Sequence, residues 1–448
     1  MGAKKWWAIC LALVIVSAGC SGDDGGDNDD SSGIGSEDAG INPGVGVTDD
    51  AIKVGYNADL SGASSPMVTQ TIEAAKVYWE WVNENGGIAG REVQPIILDN
   101  GYDALKYAEN YERLSENDSE GVVMIGQSDG PPGVDGVAVA KDLVADGLAM
   151  VPLSRYSGWV DPSIGANVFE VQASYCLESI NGVTFMAEQH GNTVAIISFP
   201  GEYGRDGATG AKLAATALGL EIVYDGEASV TPGADHTSII TEIVNSDPDF
   251  VWGSVDPATL SVILAGAVKQ GYSGQWSGNS PTYNFELMGG GLADLLDQYY
   301  THSSPTVMWN TSDASGMKEV VAQMAAFRPD APVSDAYVNG WTNSMVVHQI
   351  LEQAAANGDL TRAGVVVAAQ EVTVDLKGLS PNQSWSGEPN ENLVRESYMY
   401  DVQKSSFAGR STVADGDAGT GFKLIEGSYS SDTAIKHDFT EACFTVED

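Results

Sequence analysis

Small polar residues and glycines follow three short apolar runs within the first 160 residues. Ser61 and Gly62 come after a run in which Ile52, Val54 and Tyr56 alternate with other residues, which is typical of a strand, and an apolar helical pattern begins near Met67. The same arrangement recurs twice, and the runs end in Gln127 and Ser128 and in Ser154, Arg155 and Tyr156. A strand that enters a helix through such a loop places hydroxyl and free backbone N–H groups at its carboxyl end. Ligands of open α/β sheets bind at this edge, so the spacing predicts a small-molecule site there.

The serines of these loops have two interpretations. Ser61, Ser128 and Ser154 either contact a ligand or cap the helices that follow them, because serine is a favoured N-cap residue. The residue types alone do not decide between a ligand-binding loop and a helix cap.

Strand and helix patterns alternate in two successive runs, which favours a parallel sheet covered by helices in each. The first run extends from residue 51 to a predicted strand at 168–172, and the second follows from a predicted helix at 177–189. Further on, the pattern predicts a strand that carries Val307 and Met308 and a final antiparallel strand over 396–402. The predicted fold is therefore α/β, with two lobes that each contain a mostly parallel sheet flanked by helices.

The chain of 448 residues carries 62 acidic and 21 basic side chains, and its formal net charge is −41. A field of this sign repels nucleic acids and anionic lipid headgroups, so neither is predicted as a partner. The charge fits either an acidic exported protein or a protein that lives in high salt, where screening weakens the self-repulsion. Hydrophobic residues make up 43% of the chain, which is enough for packed cores.

Residues that commonly form catalytic and metal sites are scattered along the chain. The five histidines form no H-E-x-x-H motif, and the sequence has no P-loop. It has no C-x-x-C pair, which argues against a zinc or redox site. We therefore predict a binding protein without enzymatic activity, cofactor or metal.

The N-terminal residues have the features of an export signal over 1–19. Two lysines precede an apolar stretch at 6–16 that is too short for a membrane span, and small residues follow. They end at Cys20, and this segment resembles a bacterial lipoprotein signal, with Ser17 where that motif usually has Leu. The resemblance implies a lipid on the Cys20 sulfur; the alternative is an ordinary signal peptide with an incidental cysteine. Residues 20–49 are rich in Gly, Ser and Asp and predict a flexible acidic tether.

Cys176 and Cys443 lie beyond this segment. Because an exported protein tolerates disulfide bonds, the two residues either form one bond or remain as two buried thiols. A bond between them would tie the C-terminal end of the chain to its middle.

Five short motifs occur along the chain in a characteristic order. They lie at 47–55 (VTDDAIKVG), 59–62 (DLSG), 86–91 (GGIAGR), 199–207 (FPGEYGRDG) and 395–398 (RESY). Together they resemble the periplasmic branched-chain amino acid binding proteins, and the resemblance covers about 50–445. It implies two α/β lobes joined by three crossover strands, which close on a small ligand and present the closed form to a membrane permease.

The resemblance also implies the extent of the lobes and the partners. We expect lobe one to comprise 50–172 and 304–380, and lobe two to comprise 173–303 and 381–448. The implied protein is a monomer that captures a small polar ligand (an amino acid, an amide or a related compound) and delivers it to an ABC transporter permease. A surface-tethered sensor that presents its ligand-bound form to a signalling receptor is the alternative, since both have this fold.

Residues at the cleft receive roles from the same resemblance. The first-lobe loops hold the ligand carboxylate, and Tyr203 matches a tyrosine that covers the ligand. Asn279 and Ser280 stand where the family usually has a glutamate that pairs with the ligand's ammonium group. Asp256 is a candidate to replace that charge, because an ammonium group in a dry cleft needs one. Arg155 would suit a second acidic group on the ligand.

Three of these residues also have purely structural interpretations. Tyr203 could pack on the lobe surface, and Arg155 could form a surface ion pair. Asp256 precedes Pro257, and an Asp-Pro pair is a favoured start of a helix.

We predict that the mature protein begins with a lipid-modified Cys20. Mass spectrometry of its N-terminal peptide should show the added mass of a diacylglycerol group, and Cys20→Ala should move the protein out of the membrane fraction. Cys10→Ala is the matched control, because Cys10 lies within the cleaved segment and its loss should leave anchoring unchanged. A mature N-terminal peptide without lipid mass would contradict the prediction.

Overall fold

The computed structural model describes residues 40–116, 120–130, 137–409, 411–416 and 418–445. The predicted signal peptide, Cys20 and most of the predicted tether lie outside these residues. From Ile41 onwards the described residues form one compact unit. Among the described helices, none is both long and apolar enough to cross a membrane.

Strands and helices alternate over much of the described chain. The strands are β1 (Asn42–Pro43), β2 (Ala51–Ala58), β3 (Glu92–Asp99), β4 (Met124–Ser128), β5 (Ala149–Pro152), β6 (Thr193–Ser198), β7 (Glu221–Gly226), β8 (Phe250–Ser254), β9 (Gln275–Gly278), β10 (Thr301–Ser304), β11 (Asp359–Leu360), β12 (Thr373–Val374), β13 (Gln383–Ser384), β14 (Ser397–Phe407) and β15 (Thr420–Tyr429). The helices are α1 (Ser65–Glu84), α2 (Ala104–Ser115), α3 (Ala140–Asp146), α4 (Pro162–Gly165), α5 (Tyr175–His190), α6 (Gly201–Leu218), α7 (Thr237–Ser246), α8 (Pro257–Lys269), α9 (Ala293–Tyr299), α10 (Ser315–Phe327), α11 (Ala336–Ala356), α12 (Arg362–Glu371) and α13 (Asp432–Lys436).

Two four-stranded parallel sheets form the centres of the two halves. Their strand orders are β3–β2–β4–β5 and β7–β6–β8–β9. In the first sheet Ile52 of β2 pairs with Val93 of β3, and in the second Ile196 of β6 pairs with Trp252 of β8. All four side chains are buried, as expected for parallel sheets that are covered on both faces. The predicted α/β class with two mostly parallel sheets is confirmed.

Helices α1 and α11 pack together and bury a cluster of aromatic side chains. The Tyr78 and Trp341 rings meet edge to face at 4.7 Å between centroids, and Trp81 stacks on Trp341 at 5.7 Å. Trp79 is buried and lies edge to face with Tyr78 at 5.2 Å. Because α11 is fixed in this way, the position of its polar residues is fixed as well.

A third sheet is antiparallel, with the order β10–β14–β15. It adjoins the second parallel sheet through a bridge between Trp276 and Tyr300. The prediction that 396–402 is the last strand was wrong, because β14 extends to Phe407 and β15 follows it. Most of β15 is solvent-exposed at the sheet edge, so its sequence lacks the buried alternation that marks a strand.

Two other predicted strands are not formed. Residues 168–172 make only a single bridge, between Val168 and Met150, and their apolar pattern reflects burial of a connecting segment. Val307 and Met308 lie beyond the strand that was predicted to carry them, because β10 ends at Ser304 and Pro305 follows. The polar sequence of β10, THSS, carries no apolar strand signal, although all four of its residues are buried.

A disulfide bond joins the C-terminal segment to α5. Cys176 and Cys443 are joined by a disulfide bond, with Sγ atoms 2.03 Å apart and Cα atoms 6.4 Å apart. Nearby, the Cys443 N–H donates to Ser157 Oγ at 2.8 Å, and the Tyr156 hydroxyl donates to the Phe444 carbonyl. The bond and these contacts hold the end of the chain against the segment that follows β5.

Loss of this bond should lower the free energy of unfolding. The bond closes a segment with a sequence separation of 267 residues, and chain-entropy estimates for loops this long give about 5–6 kcal/mol. Urea unfolding of Cys443→Ser should therefore show a lower midpoint than the parent protein, and reductant should change the parent but not the variant. Cys10→Ala is again the control. Equal midpoints with and without reductant would contradict a stabilising bond.

Several carboxyl groups are buried inside the described part of the chain. Burial raises the pKa of Asp129 to about 8 and the pKa values of Glu178, Asp206 and Asp335 to about 7. In each case burial outweighs hydrogen bonds that favour the charged form, such as those from the N–H groups of Ser157 and Cys176 to Asp206. These groups therefore keep their protons at a pH where the unfolded chain has lost them.

We predict that the protein becomes less stable as the pH rises from 5 to 8. Unfolded carboxyl groups titrate near pH 4, so over this range the unfolded state binds fewer protons and the free energy of unfolding falls. Thermal melts of Asp129→Asn should show a weaker pH dependence, because one of the shifted groups is gone. Asp313→Asn, at a fully exposed side chain, should retain the parent's dependence. A parent protein whose melting temperature rises towards pH 8 would contradict this prediction.

Candidate ligand-binding site

The loop after β2 is held by carboxylates of the protein itself. Asp59 accepts hydrogen bonds from the N–H groups of Ser61, Gly62 and Ser64, at 3.3, 2.5 and 2.7 Å. The Ser61 hydroxyl donates to Asp99 at 2.7 Å. The N–H groups that the sequence predicted for a ligand carboxylate therefore already bind an internal one, and Ser64 is the residue at the N-cap position of α1.

Gln127 and Ser128 end strand β4 and are buried. Gln127 donates from Nε2 to Thr71 Oγ1 at 2.9 Å, and Oε1 has no hydrogen-bond partner among the described residues. The Ser128 hydroxyl pairs with the Tyr107 hydroxyl at 2.7 Å.

Residues 126–130, GQSDG, have the spacing of the nucleophile elbow of α/β-hydrolases. The bond to Tyr107 on α2 gives Ser128 a role in packing instead.

Two predicted site residues are engaged elsewhere. The Tyr156 ring packs against Trp159, with centroids 5.7 Å apart, and its hydroxyl binds the C-terminal segment. Asp256 accepts the Thr259 N–H at 2.6 Å and so caps α8, which is the structural alternative that its sequence left open. The carbonyl of Ser154 accepts the Trp159 indole N–H at 3.2 Å.

Tyr203 lies on α6 beside the turn at Ser280–Thr282. Its hydroxyl donates to the Val255 carbonyl at 3.0 Å and is 3.1 Å from Thr282 Oγ1. Its ring meets Tyr175 edge to face at 4.8 Å. Tyr203 is half-buried and lies beside the turn that contains Ser280.

Arg155 connects the segment after the first sheet to the second half. Its Nη2 donates to Ser280 Oγ and lies 3.9 Å from Glu178 Oε2. The guanidinium carbon is 4.9 Å from the centre of the Tyr175 ring, which is a cation–π distance. Arg155 is 9% exposed, so its ion pair is buried and does not lie at the surface, as one interpretation of the sequence had suggested. Arg155 and Ser280 are thus brought together as site candidates.

Glu178 on α5 is a buried carboxylate that the sequence interpretation missed. It accepts the Ser280 N–H at 2.7 Å and lies 3.4 Å from Asn279 Nδ2. Burial raises its pKa to about 7, and Arg155 opposes the shift. The other end of the Asn279 amide accepts from Ser254 at 2.6 Å and Ser179 at 3.0 Å. The negative group beside Asn279 and Ser280 therefore comes from α5 and not from Asp256.

A small cavity of about 10 Å³, with room for about one water molecule, lies next to Arg155. It is lined by Pro152, Leu153, Arg155, Glu170, Val171, Gln172 and Asn343. Three lining atoms have no hydrogen-bond partner among the described residues: Arg155 Nε, Glu170 Oε1 and Asn343 Nδ2. Burial raises the pKa of Glu170 well above its usual value, with Asp206 adding to the shift and Arg155 opposing it.

The groups around this cavity can both donate and accept hydrogen bonds. A guanidinium and an amide supply donors, and a carboxyl group supplies an acceptor, all at one cavity. Sequence reasoning found Arg155 but not Glu170 or Asn343. Glu170 is one of 62 acids, and Asn343 lies on α11, far along the chain. The described residues contain no group of three or more His, Cys, Asp or Glu side chains suited to a metal ion.

Several solved structures have a similar fold. A fatty acid ABC transporter substrate-binding protein from Thermomonospora curvata is 23% identical, with a TM-score of 0.78 over 89% of this chain and 97% of its own. A branched-chain amino acid ABC transporter protein from Thermus thermophilus with bound valine is 17% identical, with a TM-score of 0.72 over 87% of this chain and 99% of its own. An ABC transporter substrate-binding protein from Aeropyrum pernix is 20% identical, with a TM-score of 0.69 over 86% and 98%. No curated protein matches the sequence.

The sequence also matches a family model over most of its length. The match extends over residues 51–408, from the first strand of the first sheet into the third sheet, and the family is described as periplasmic binding protein. It agrees with the predicted resemblance and with the architecture of two parallel sheets. The chain belongs to the periplasmic binding protein family.

Proposed function

We propose that this protein is an extracytoplasmic solute-binding protein that captures a small zwitterionic ligand and delivers it to an ABC transporter permease. The observation that carries the proposal is a set of unpaired polar atoms on residues that line the small cavity beside Arg155. Arg155 Nε, Glu170 Oε1 and Asn343 Nδ2 have no partners in the described chain. A buried polar atom left unpaired costs about 1–3 kcal/mol, so three of them at one place favour a ligand that pairs with them.

The chemistry of these atoms favours an amino acid. The Arg155 guanidinium and the Asn343 amide can donate to a ligand carboxylate, and the Glu170 carboxyl can accept from an ammonium group. A cation at this position would also favour the charged form of Glu170, whose pKa is raised by burial. Glu178 is less suited to this role, because its oxygens already accept from Ser280 and Asn279.

Ligand capture would occur by closure of two lobes. We assign residues 50–172 and 304–380 to lobe one and 173–303 and 381–448 to lobe two. The residues that line the cavity all belong to lobe one, and Arg155 among them reaches lobe two. Arg155 follows the first sheet, whereas Ser280 follows the second, so their contact supports a closed arrangement. A ligand that binds both lobes stabilises the closed form by its differential affinity for that form.

Delivery to a permease and attachment to the membrane complete the proposal. The names of the similar structures from Thermomonospora and Aeropyrum, which describe ABC transporter substrate-binding proteins, support a transport role. The lipid predicted on Cys20 and the acidic tether after it would keep the binding unit near the membrane. The Thermus structure contains valine, which supports an amino acid as the class of ligand.

We predict that Glu170→Gln weakens amino acid binding at least about tenfold, or roughly 1.4 kcal/mol. The amide keeps the size of the side chain but cannot pair with an ammonium group as an anion. Thermal shift with a panel of L-amino acids should first identify binding, and titration calorimetry should then give Kd for parent and variant. Glu242→Gln, at an exposed position on α7, is the matched control and should bind like the parent.

Two results would count against the proposed function. A flat thermal response to the whole amino acid panel would remove zwitterions as the ligand class. An unchanged Kd in Glu170→Gln would remove Glu170 from the site while leaving the ligand class in place.

A further inference from the structure

The last residues of the described chain form a segment that lies along the proposed lobe two. We define this segment, residues 431–445, as the C-terminal strap. The Ser431 N–H donates to Asn181 Oδ1 on α5 at 2.9 Å. Phe439 is 2% exposed and belongs to the core cluster that also contains residues of strands β6 and β8. The first part of the strap is therefore fixed to lobe two.

The end of the strap contacts the proposed lobe one. The Cys443 N–H donates to Ser157 Oγ at 2.8 Å, and the Phe444 carbonyl accepts from the Tyr156 hydroxyl. Ala442 packs against the core cluster that contains Tyr156 and residues of strands β4 and β5. The strap thus begins on one lobe, and three consecutive residues at its end contact the other.

The same end of the strap is also bound to lobe two. Cys443 forms the disulfide bond with Cys176 in the first turn of α5. The Arg205 guanidinium on α6 lies 5.2 Å from the centre of the Phe444 ring, which is a cation–π distance. Cys443 and Phe444 therefore bind lobe two through their side chains and lobe one through their backbone groups, so they connect the two lobes directly.

The contacts on lobe one fall on the segment that carries Arg155. The Ser157 N–H donates to Asp206 on α6 at 3.1 Å, and the Ser157 hydroxyl donates to the same carboxylate. Two residues before Ser157, Arg155 Nη2 donates to Ser280 Oγ in lobe two. The strap therefore strengthens a region in which 155–157 already meet lobe two, next to a group proposed to bind the ligand.

The disulfide bond matters because it makes the other contacts of the strap intramolecular. The end of a chain detaches readily unless it is tied down. A covalent link at Cys443 keeps its neighbours at a high effective concentration beside Tyr156 and Ser157, so that individually weak hydrogen bonds persist. Without the link, the residues beyond Phe439 become a free end that must be ordered again at each contact.

We propose that the C-terminal strap holds lobe one against lobe two through Tyr156 and Ser157, and that the Cys176–Cys443 bond sets the strength of this hold. The inference rests on the two-lobe closure of the proposed function and on none of its ligand chemistry. Loss of the bond shifts the population of lobe arrangements towards open ones. The strap therefore makes closure sensitive to the redox state of the bond.

Reduction by a dithiol releases the end of the strap. The bond between the two Sγ atoms breaks, two cysteine thiols form, and the dithiol is oxidised to its own disulfide. Cys176 is fully buried whereas Cys443 is half-buried, so the dithiol reaches the bond from the Cys443 side.

Small-angle X-ray scattering of the ligand-free protein, with and without dithiothreitol, tests the strap. The radius of gyration of the parent protein should rise by a few per cent on reduction, because open lobes are more extended than closed ones. Cys443→Ser should have the larger radius from the start and should not respond to dithiothreitol. Circular dichroism at the same temperature checks that each sample is folded.

Three further chains separate opening of the lobes from loosening of the strap. Tyr156→Phe removes only the hydroxyl that binds Phe444 and should raise the radius part of the way with the bond intact. A chain that ends at Glu441 lacks the contacts with lobe one and leaves no loose end, so a larger radius in this shorter chain reports opening. Tyr272→Phe is the matched control, because its hydroxyl donates to the Pro248 carbonyl at 3.0 Å within lobe two. It should scatter like the parent.

The outcomes separate this inference from the proposed ligand. An unchanged radius in the reduced parent would overturn the strap, and amino acid binding would stand. A rise in the reduced parent that is absent from the chain ending at Glu441 would show fraying of the strap alone and would also overturn the inference. A flat thermal response to the amino acid panel would remove the proposed ligand class and leave the strap in place.

Discussion

The contact of the Arg155 guanidinium with Ser280 and Glu178 is the interaction on which the arrangement of the site depends. Arg155 lies in the segment after β5 of the first sheet, and its partners belong to α5 and to the turn after β9. A buried guanidinium is tolerated only with paired charge and acceptors, which Glu178, Ser280 and the Tyr175 ring supply. These partners take the Nη2 side of the group, and its Nε has no hydrogen-bond partner among the described residues, next to the cavity that Arg155 lines.

Much of the fold could be predicted from local patterns, because parallel strands are apolar and helices have apolar faces. The alternation of Ile52, Val54 and Tyr56, for example, predicted strand β2. Strands β10 and β15 were not predicted correctly. The polar residues of β10 are buried by neighbouring segments, and β15 is an exposed edge strand. Burial of this kind is decided by tertiary packing and leaves no periodic trace in the sequence.

The site was only partly predictable, for two physical reasons. The position of Arg155 at the end of a strand and the family resemblance at Ser280 predicted these two site residues, and the structure places them in contact. Glu170 and Glu178 could not be distinguished from the other acids, because their importance comes from burial and not from spacing. The loop at Ser61 and Gly62 has the composition of an anion site, but Asp59, two residues before Ser61, is close enough to take the same N–H groups. In a chain so rich in acids, an internal carboxylate can satisfy such a loop.

The unpaired polar atoms also bear on the proposed capture of a ligand. Arg155 Nε, Glu170 Oε1 and Asn343 Nδ2 have no partners among the described residues. Burying polar atoms without partners raises the free energy of the arrangement that buries them, relative to one that admits water. Under the proposed function, a ligand that pairs with these atoms would remove that cost, and the contact of Arg155 with Ser280 would link its effect to the second sheet.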